Sequence, residues 1–193
     1  MTTLNLSAEL ERLIADIAGR VEEFSHIDPR RVLVCVSSTR NGGVHGTYAK
    51  IHPLRFEDGT RSKIIRRGLR KYAYEMPTIS HRGVDMLYVV YFLVPRFLNL
   101  PFREKLITLF HELYHISPEF NGDIRRFPGK NYAHGSSTKR YNACMAKLVD
   151  AYLEKHEAVG LTAFLEGDMA EVRERYEAIV GRKMAAPQIR LVK

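Results

Sequence analysis

The chain has 193 residues, 45% of them hydrophobic, and carries a formal net charge of +8 from 30 basic and 22 acidic side chains. That length and apolar content suit one well-cored domain and argue against a disordered chain. Two cysteines without paired spacing exclude a disulfide framework, and no apolar run approaches the roughly 20 residues needed to span a bilayer, so a reduced, cytoplasmic protein without membrane association is expected.

In chain order, Ser7 can cap a helix over residues 8–24, with Glu9 and Glu11 in its first turn and Leu10, Leu13, Ile14, Ile17, Val21 and Phe24 at helical spacing. No signal peptide is expected ahead of it. Asp28-Pro29 breaks the pattern. Residues 31–37 read as a strand because Val32, Val34 and Val36 form a short β-branched run, and after a turn at Asn41-Gly42-Gly43 residues 46–55 read as a second strand. His45 and His52 fall here without a partner at metal-binding spacing, and read as polar strand or loop positions. Cys35 and Cys144 read as reduced core residues of a strand and a helix.

Residues 56–80 are polar, basic and irregular, and read as a long loop. They carry Arg61, Lys63, Arg66, Arg67, Arg70 and Lys71, a cluster able to contact phosphates, although no helix-turn-helix, zinc-finger or RNA-binding signature accompanies it. Tyr72 and Tyr74 read better as pinning the loop to the core than as stacking on bases. A turn is expected at Arg82-Gly83. Residues 86–94 are apolar on both sides and give the strongest strand signal, covered on each face.

Pro101 is placed to open a helix whose apolar stripe is Leu106, Phe110, Leu113 and Ile116, with Pro118 stopping it. The stretch His111-Glu112-Leu113-Tyr114-His115 reads as the middle of this helix. Histidines four apart lie one above the other on a helical face and can hold one divalent ion, while the glutamate beside the first is turned about 100° and can sit by the metal without ligating it. Zinc can lower the pKa of a bound water from about 15.7 towards 7, and Glu112 can take the proton of that water as it attacks a carbonyl.

A catalytic zinc usually has three protein ligands. The spacing HExxHxxGxxH fails, because Pro118 and Asn121 occupy its glycine and third-histidine positions. His134 is the better third candidate, since it follows a Gly/Pro/Asn-containing loop and precedes Gly135-Ser136-Ser137, where a serine can cap the next helix. Glu119, Asp123, Asp150, Glu154 and Glu157 are the acidic alternatives. In the loop over 117–133, Asn121-Gly122-Asp123 marks a turn; Asp123 could orient a ligand histidine, and Arg126 or Tyr132 could stabilise an oxyanion. Asp123 capping its own turn and Tyr132 packing are equally open.

A further helix is expected over 138–155, with Tyr141, Met145, Leu148, Val149 and Tyr152 on its packed face. His156 at its end is left outside the site. Gly160 precedes a last helix over 161–180, and the basic tail over 185–193 reads as extended.

The segment Pro101-Phe102-Arg103-Glu104-Lys105 through His111-Glu112-Leu113-Tyr114-His115, then Gly122-Asp123-Ile124-Arg125-Arg126-Phe127 and Tyr132-Ala133-His134-Gly135, resembles the metallopeptidase domain found in phage and prophage proteins. It is more distantly similar to SprT-like metalloproteases, which pair HExxH with a later histidine followed by glycine. The resemblance extends back to Val32 and Gly46-Thr47-Tyr48-Ala49-Lys50. It implies zinc ligands at His111, His115 and His134 and a catalytic base at Glu112.

The expectation is therefore an α+β, zincin-like domain over residues 1–193, with about four helices on a small mixed or antiparallel sheet and the chain from about residue 160 as a candidate appendage. Its chemistry would be zinc-dependent hydrolysis of a polypeptide substrate, with a strand edge near the cleft aligning it. The rival expectation is a basic nucleic-acid-associated module with a structural or vestigial metal site.

Overall fold

The computed structural model describes residues 2–39, 46–127, 138–155 and 159–192, and its secondary structure is α+β. The order is β1 (Thr3–Asn5), α1 (Leu6–Arg20), β2 (Val32–Ser38), β3 (Ala49–Pro53), β4 (Ser62–Arg67), β5 (Arg70–Glu75), β6 (Ser80–His81), β7 (Val84–Asp85), β8 (Tyr88–Val94), α2 (Phe102–Tyr114), α3 (Thr138–Lys155), α4 (Val159–Thr162), α5 (Met169–Arg175), β9 (Ala178–Val180) and β10 (Arg190–Leu191). The turn at 41–43, His45, Tyr132, His134 and His156 lie outside the described residues.

The sheet that positions the site has the order β2-β8-β3, with β8 central, parallel to β2 and antiparallel to β3. The unbroken apolar character of β8 follows from burial on both faces. Tyr88, Val90 and Phe92 enter the main core, while Val89 and Tyr91 join Leu33, Cys35, Leu54 and Met86 in a second cluster. On the main-core side lie the stripe of α1 (Leu10, Leu13, Ile14, Ile17) and that of α2 (Leu106, Phe110, Leu113), all essentially inaccessible to water. Helix α3 covers α2 with Tyr141, Met145, Val149 and Tyr152. Phe110 is gripped by two aromatic rings, Phe24 edge-on at 5.3 Å and Tyr152 at 5.8 Å. The C-terminal segment returns to the front of the chain: β9 pairs in parallel with β1, β10 pairs with β5, and the Arg182 guanidinium bonds Glu11.

Several elements differ from expectation. The cap of α1 is Asn5, whose side chain accepts from the Ala8 N–H at 3.2 Å, and the helix gives way after Arg20 to a 3₁₀ turn over Glu22–Phe24. Ser7 is instead buried, its hydroxyl accepting from the Arg182 N–H at 2.9 Å. Residues 56–80 contain a hairpin of β4 and β5 rather than an irregular loop; every residue of β4 is exposed, so there is no buried face to impose an alternating pattern.

The expected helix over 161–180 is broken after Leu165. Gly167 takes φ +73°, where a Cβ would come within 2.6 Å of a Glu171 carboxylate oxygen, and Asp168 with Glu171 forms a capping box that starts α5 afresh. Cys35 is buried as expected, but Cys144 is exposed on α3. Among the described residues no helix is long and apolar enough to cross a membrane.

Candidate metal centre

The two histidines occupy the end of α2 rather than its middle. His115 is the C-cap residue, yet its φ −70°, ψ −16° keeps it in the helical region, so the four-residue relation to His111 survives. The ring centroids are 4.8 Å apart. The helix turns its stripe of Leu106, Phe110 and Leu113 into the core, which leaves His111 half-buried at the opposite face, with His115 and Glu112 each 8% exposed.

Facing them is the outer edge of β3. Leu93 donates to the Tyr48 carbonyl and Leu54 to the Leu87 carbonyl, so by the alternation of an antiparallel ladder residues 48, 50, 52 and 54 bond to β8, while Ala49 and Ile51 point their N–H and C=O groups away from it. One of those outward groups, the Ile51 N–H, faces the Glu112 carboxylate and favours its ionised form. Between edge and helix lies a cleft of about 400 Å³ lined by Ala49, Lys50, Ile51, Pro53, His111, Glu112, His115 and Ile124. A second recess of about 270 Å³ shares Ala49, His111 and Glu112 with it and reaches Thr108 and Asn142.

Burial pushes the Glu112 carboxyl up to about 7, against the opposing pull of the Ile51 N–H. A cation at the two imidazoles would favour the ionised form and return the group towards a working base.

Each imidazole has a neighbour from α3. Nδ1 of His111 lies 3.1 Å from Asn142 Oδ1, an oxygen that can only accept. With the hydrogen on Nδ1 this contact is a hydrogen bond, and Nε2 then carries the lone pair a metal requires. The Tyr141 ring stacks on His115 at 5.6 Å and meets His111 edge-on at 4.7 Å, while its hydroxyl donates to the His111 carbonyl at 3.3 Å. Its phenol is pushed well above the usual range, first by burial and then by the charge of Glu112.

The donor set fits a divalent metal of borderline softness: two imidazoles on one face, one with its ring orientation fixed, opening on a cleft. Among the described residues no group of three His, Cys, Asp or Glu side chains forms a metal-binding set. His134, the expected third donor, lies outside the described residues.

Of the acidic alternatives, Asp150 forms a two-pronged ion pair with Arg103 at 2.7 Å, and Glu119 accepts from Asn121 at 2.9 Å. The Asp123 carboxylate accepts two bonds from Arg126, at 3.0 and 3.1 Å, and both residues line a neighbouring recess that meets the cleft at Ile124. The turn at 121–123 is capped by Asn121, whose side chain accepts from the Asp123 N–H, and not by Asp123 itself.

Sequence reasoning missed Asn142, Tyr141 as a neighbour of the histidines, and the Ile51 N–H. Tyr141 stood out only as one more apolar helix position, and a backbone amide carries no sequence signal at all.

A family model described as putative phage metallopeptidase matches residues 3–153, a span that includes the sheet edge, both histidines and nearly all of α3. No curated protein and no solved structure matches the chain.

Proposed function

We propose, from the premise that this chain belongs to the putative phage metallopeptidase family, that it is a zinc peptidase of zincin-like architecture, a single domain whose ligands are His111, His115 and His134. The observation that carries this reading is the shared placement of two imidazoles and the Glu112 carboxylate at one end of α2, opposite a strand edge that pairs with no further strand among the described residues. The bound metal would supply Lewis acidity, polarising the scissile carbonyl and acidifying a water.

The chain's own groups do the rest. Glu112 accepts the proton of the attacking water and delivers it to the departing amine. The Ile51 N–H fixes the orientation of that carboxylate, and burial excludes bulk water from it. Asn142 holds His111 in the tautomer that presents Nε2. An extended polypeptide pairs with the outward N–H and C=O of Ala49 on β3, which brings a peptide bond across the histidines.

The test is elemental analysis together with cleavage of an unstructured polypeptide. Glu112→Gln is expected to keep its metal while turnover falls by about 10²- to 10⁴-fold, the usual range for a lost acid–base group. His134→Ala is expected to lose metal. Undiminished turnover in the first variant removes Glu112 from the mechanism, and unchanged metal content in the second rejects His134 as a ligand.

A further inference from the structure

The β4–β5 hairpin stands apart from the cleft chemistry and carries charge that the fold does not use. Between Gly59 and Tyr74 there are six cations and no acidic residue. Arg61 is paired with Asp85 at 2.6 Å and Lys63 lies 3.7 Å from Glu57. Arg66, Arg67, Arg70 and Lys71 have no acidic partner among the described residues. The register sets Arg66 opposite Lys71 and Arg67 opposite Arg70. Like charges facing each other across a ladder destabilise it, and here two such pairs follow one another. Side chains alternate along a strand, so one pair projects from each face of the ribbon. At the tip, Gly68 takes φ +59° to close the turn and Leu69 is fully exposed.

An anionic partner that surrounds the ribbon resolves this arrangement. A flat lipid surface would meet the cations of one face only. A stacked single strand needs an exposed aromatic platform, whereas Tyr72 and Tyr74 are half-buried and the Arg67 guanidinium lies over Tyr72 at 6.0 Å. The major groove of B-form DNA is about 12 Å wide, admits a two-stranded β-ribbon and offers phosphates on both walls. We infer that the β4–β5 hairpin is a duplex-DNA-binding arm: Arg66, Lys71, Arg67 and Arg70 contact phosphates on the two sides of the groove, and Leu69 makes an apolar contact at its floor.

The experiment is fluorescence anisotropy of the full chain with a labelled mixed-sequence DNA duplex of one to two helical turns, the corresponding single strand, and vesicles containing phosphatidylserine. Four phosphate contacts give a slope of log K against log salt of about −3.6, and hence a loss of roughly 100-fold between 50 and 200 mM salt. The variant Arg66→Glu/Arg67→Glu sets a carboxylate opposite Lys71 and another opposite Arg70, so the hairpin keeps its pairing and gains two cross-strand ion pairs. Its duplex affinity is expected to fall at least 100-fold and its salt slope to flatten, with the melting temperature equal to or above the parent's and polypeptide cleavage unchanged.

Absence of duplex binding at low salt, or equal binding by the folded variant, overturns the inference. Equal or tighter binding of the single strand overturns the groove contact. Adsorption to vesicles that the variant loses, without duplex binding, assigns the ribbon to a lipid surface instead and overturns it as well.

Discussion

Nδ1 of His111, on the helix that carries two of the three candidate ligands, lies 3.1 Å from the side-chain oxygen of Asn142 on the helix packed over it. The contact suits the tautomer in which Nε2 carries the lone pair, and it ties the packing of α3 on α2 to the cleft.

Asn142→Ala removes that acceptor from the His111 ring. Metal affinity is expected to drop about 10- to 100-fold, the usual cost of losing a hydrogen bond behind a ligating histidine. Competition with a chromophoric chelator measures it. Asn142 is exposed, so the melting temperature of the metal-free protein should hardly move; unchanged metal affinity would dismiss the orienting role.

Ile51→Pro tests the backbone amide directly. Proline removes the N–H that faces Glu112 and spares the ladder to β8, because residue 51 bonds on the outer side. Ile51→Ala serves as the control for the lost side chain, which packs partly buried against the core. A kcat/KM lower in the proline variant than in the alanine variant by about tenfold would correspond to one hydrogen bond of roughly 1.4 kcal/mol to a charged group. Equal values would show that the amide does not matter.

Lys105 sits on α2, fully buried, and its ammonium donates to the carbonyls of Leu165, at 2.7 Å, and Gly167, which holds the segment between α4 and α5 against α2. Burial, helped by the nearby Arg175, pulls its pKa from 10.5 down to about 8. Between those values the unfolded chain keeps a proton that the folded chain has shed, so this group makes stability rise as pH increases from about 8 towards 10.5. Below that window both states are charged and the burial penalty is present in full. Urea unfolding of Lys105→Met against the parent across this range should show the difference in stability shifting in the parent's favour with rising pH. A pH-independent difference would contradict the shifted pKa.

Removal of metal by a chelator is expected to lower the melting temperature, since a ligand that binds only the folded state stabilises it in proportion to RT ln(1 + [L]/Kd), about 2.7 kcal/mol at 100 times Kd. The effect should disappear in His111→Ala and His115→Ala. Calorimetry with and without added zinc distinguishes a bound ion from a nonspecific salt effect.

Local spacing determined much of this protein. The four-residue interval between His111 and His115, the stripe Leu106, Phe110 and Leu113, and the span of α3 depend on helical periodicity, which short-range sequence carries in full. The apolar run of β8 was legible for a similar reason, because a strand buried on both faces needs no polar alternation. The β4–β5 hairpin was hidden because neither of its faces is uniformly buried, so no pattern of period two was imposed on its residues. The break at Gly167 depends on a positive φ and a cap that a continuing apolar spacing masks. Asn142 beside His111 and the Ile51 amide beside Glu112 come from chain segments far away in sequence, and only the packing of α3 and the outer edge of β3 against α2 brings them together. A motif fixes which groups share one helical face, and the folded chain alone fixes what faces them.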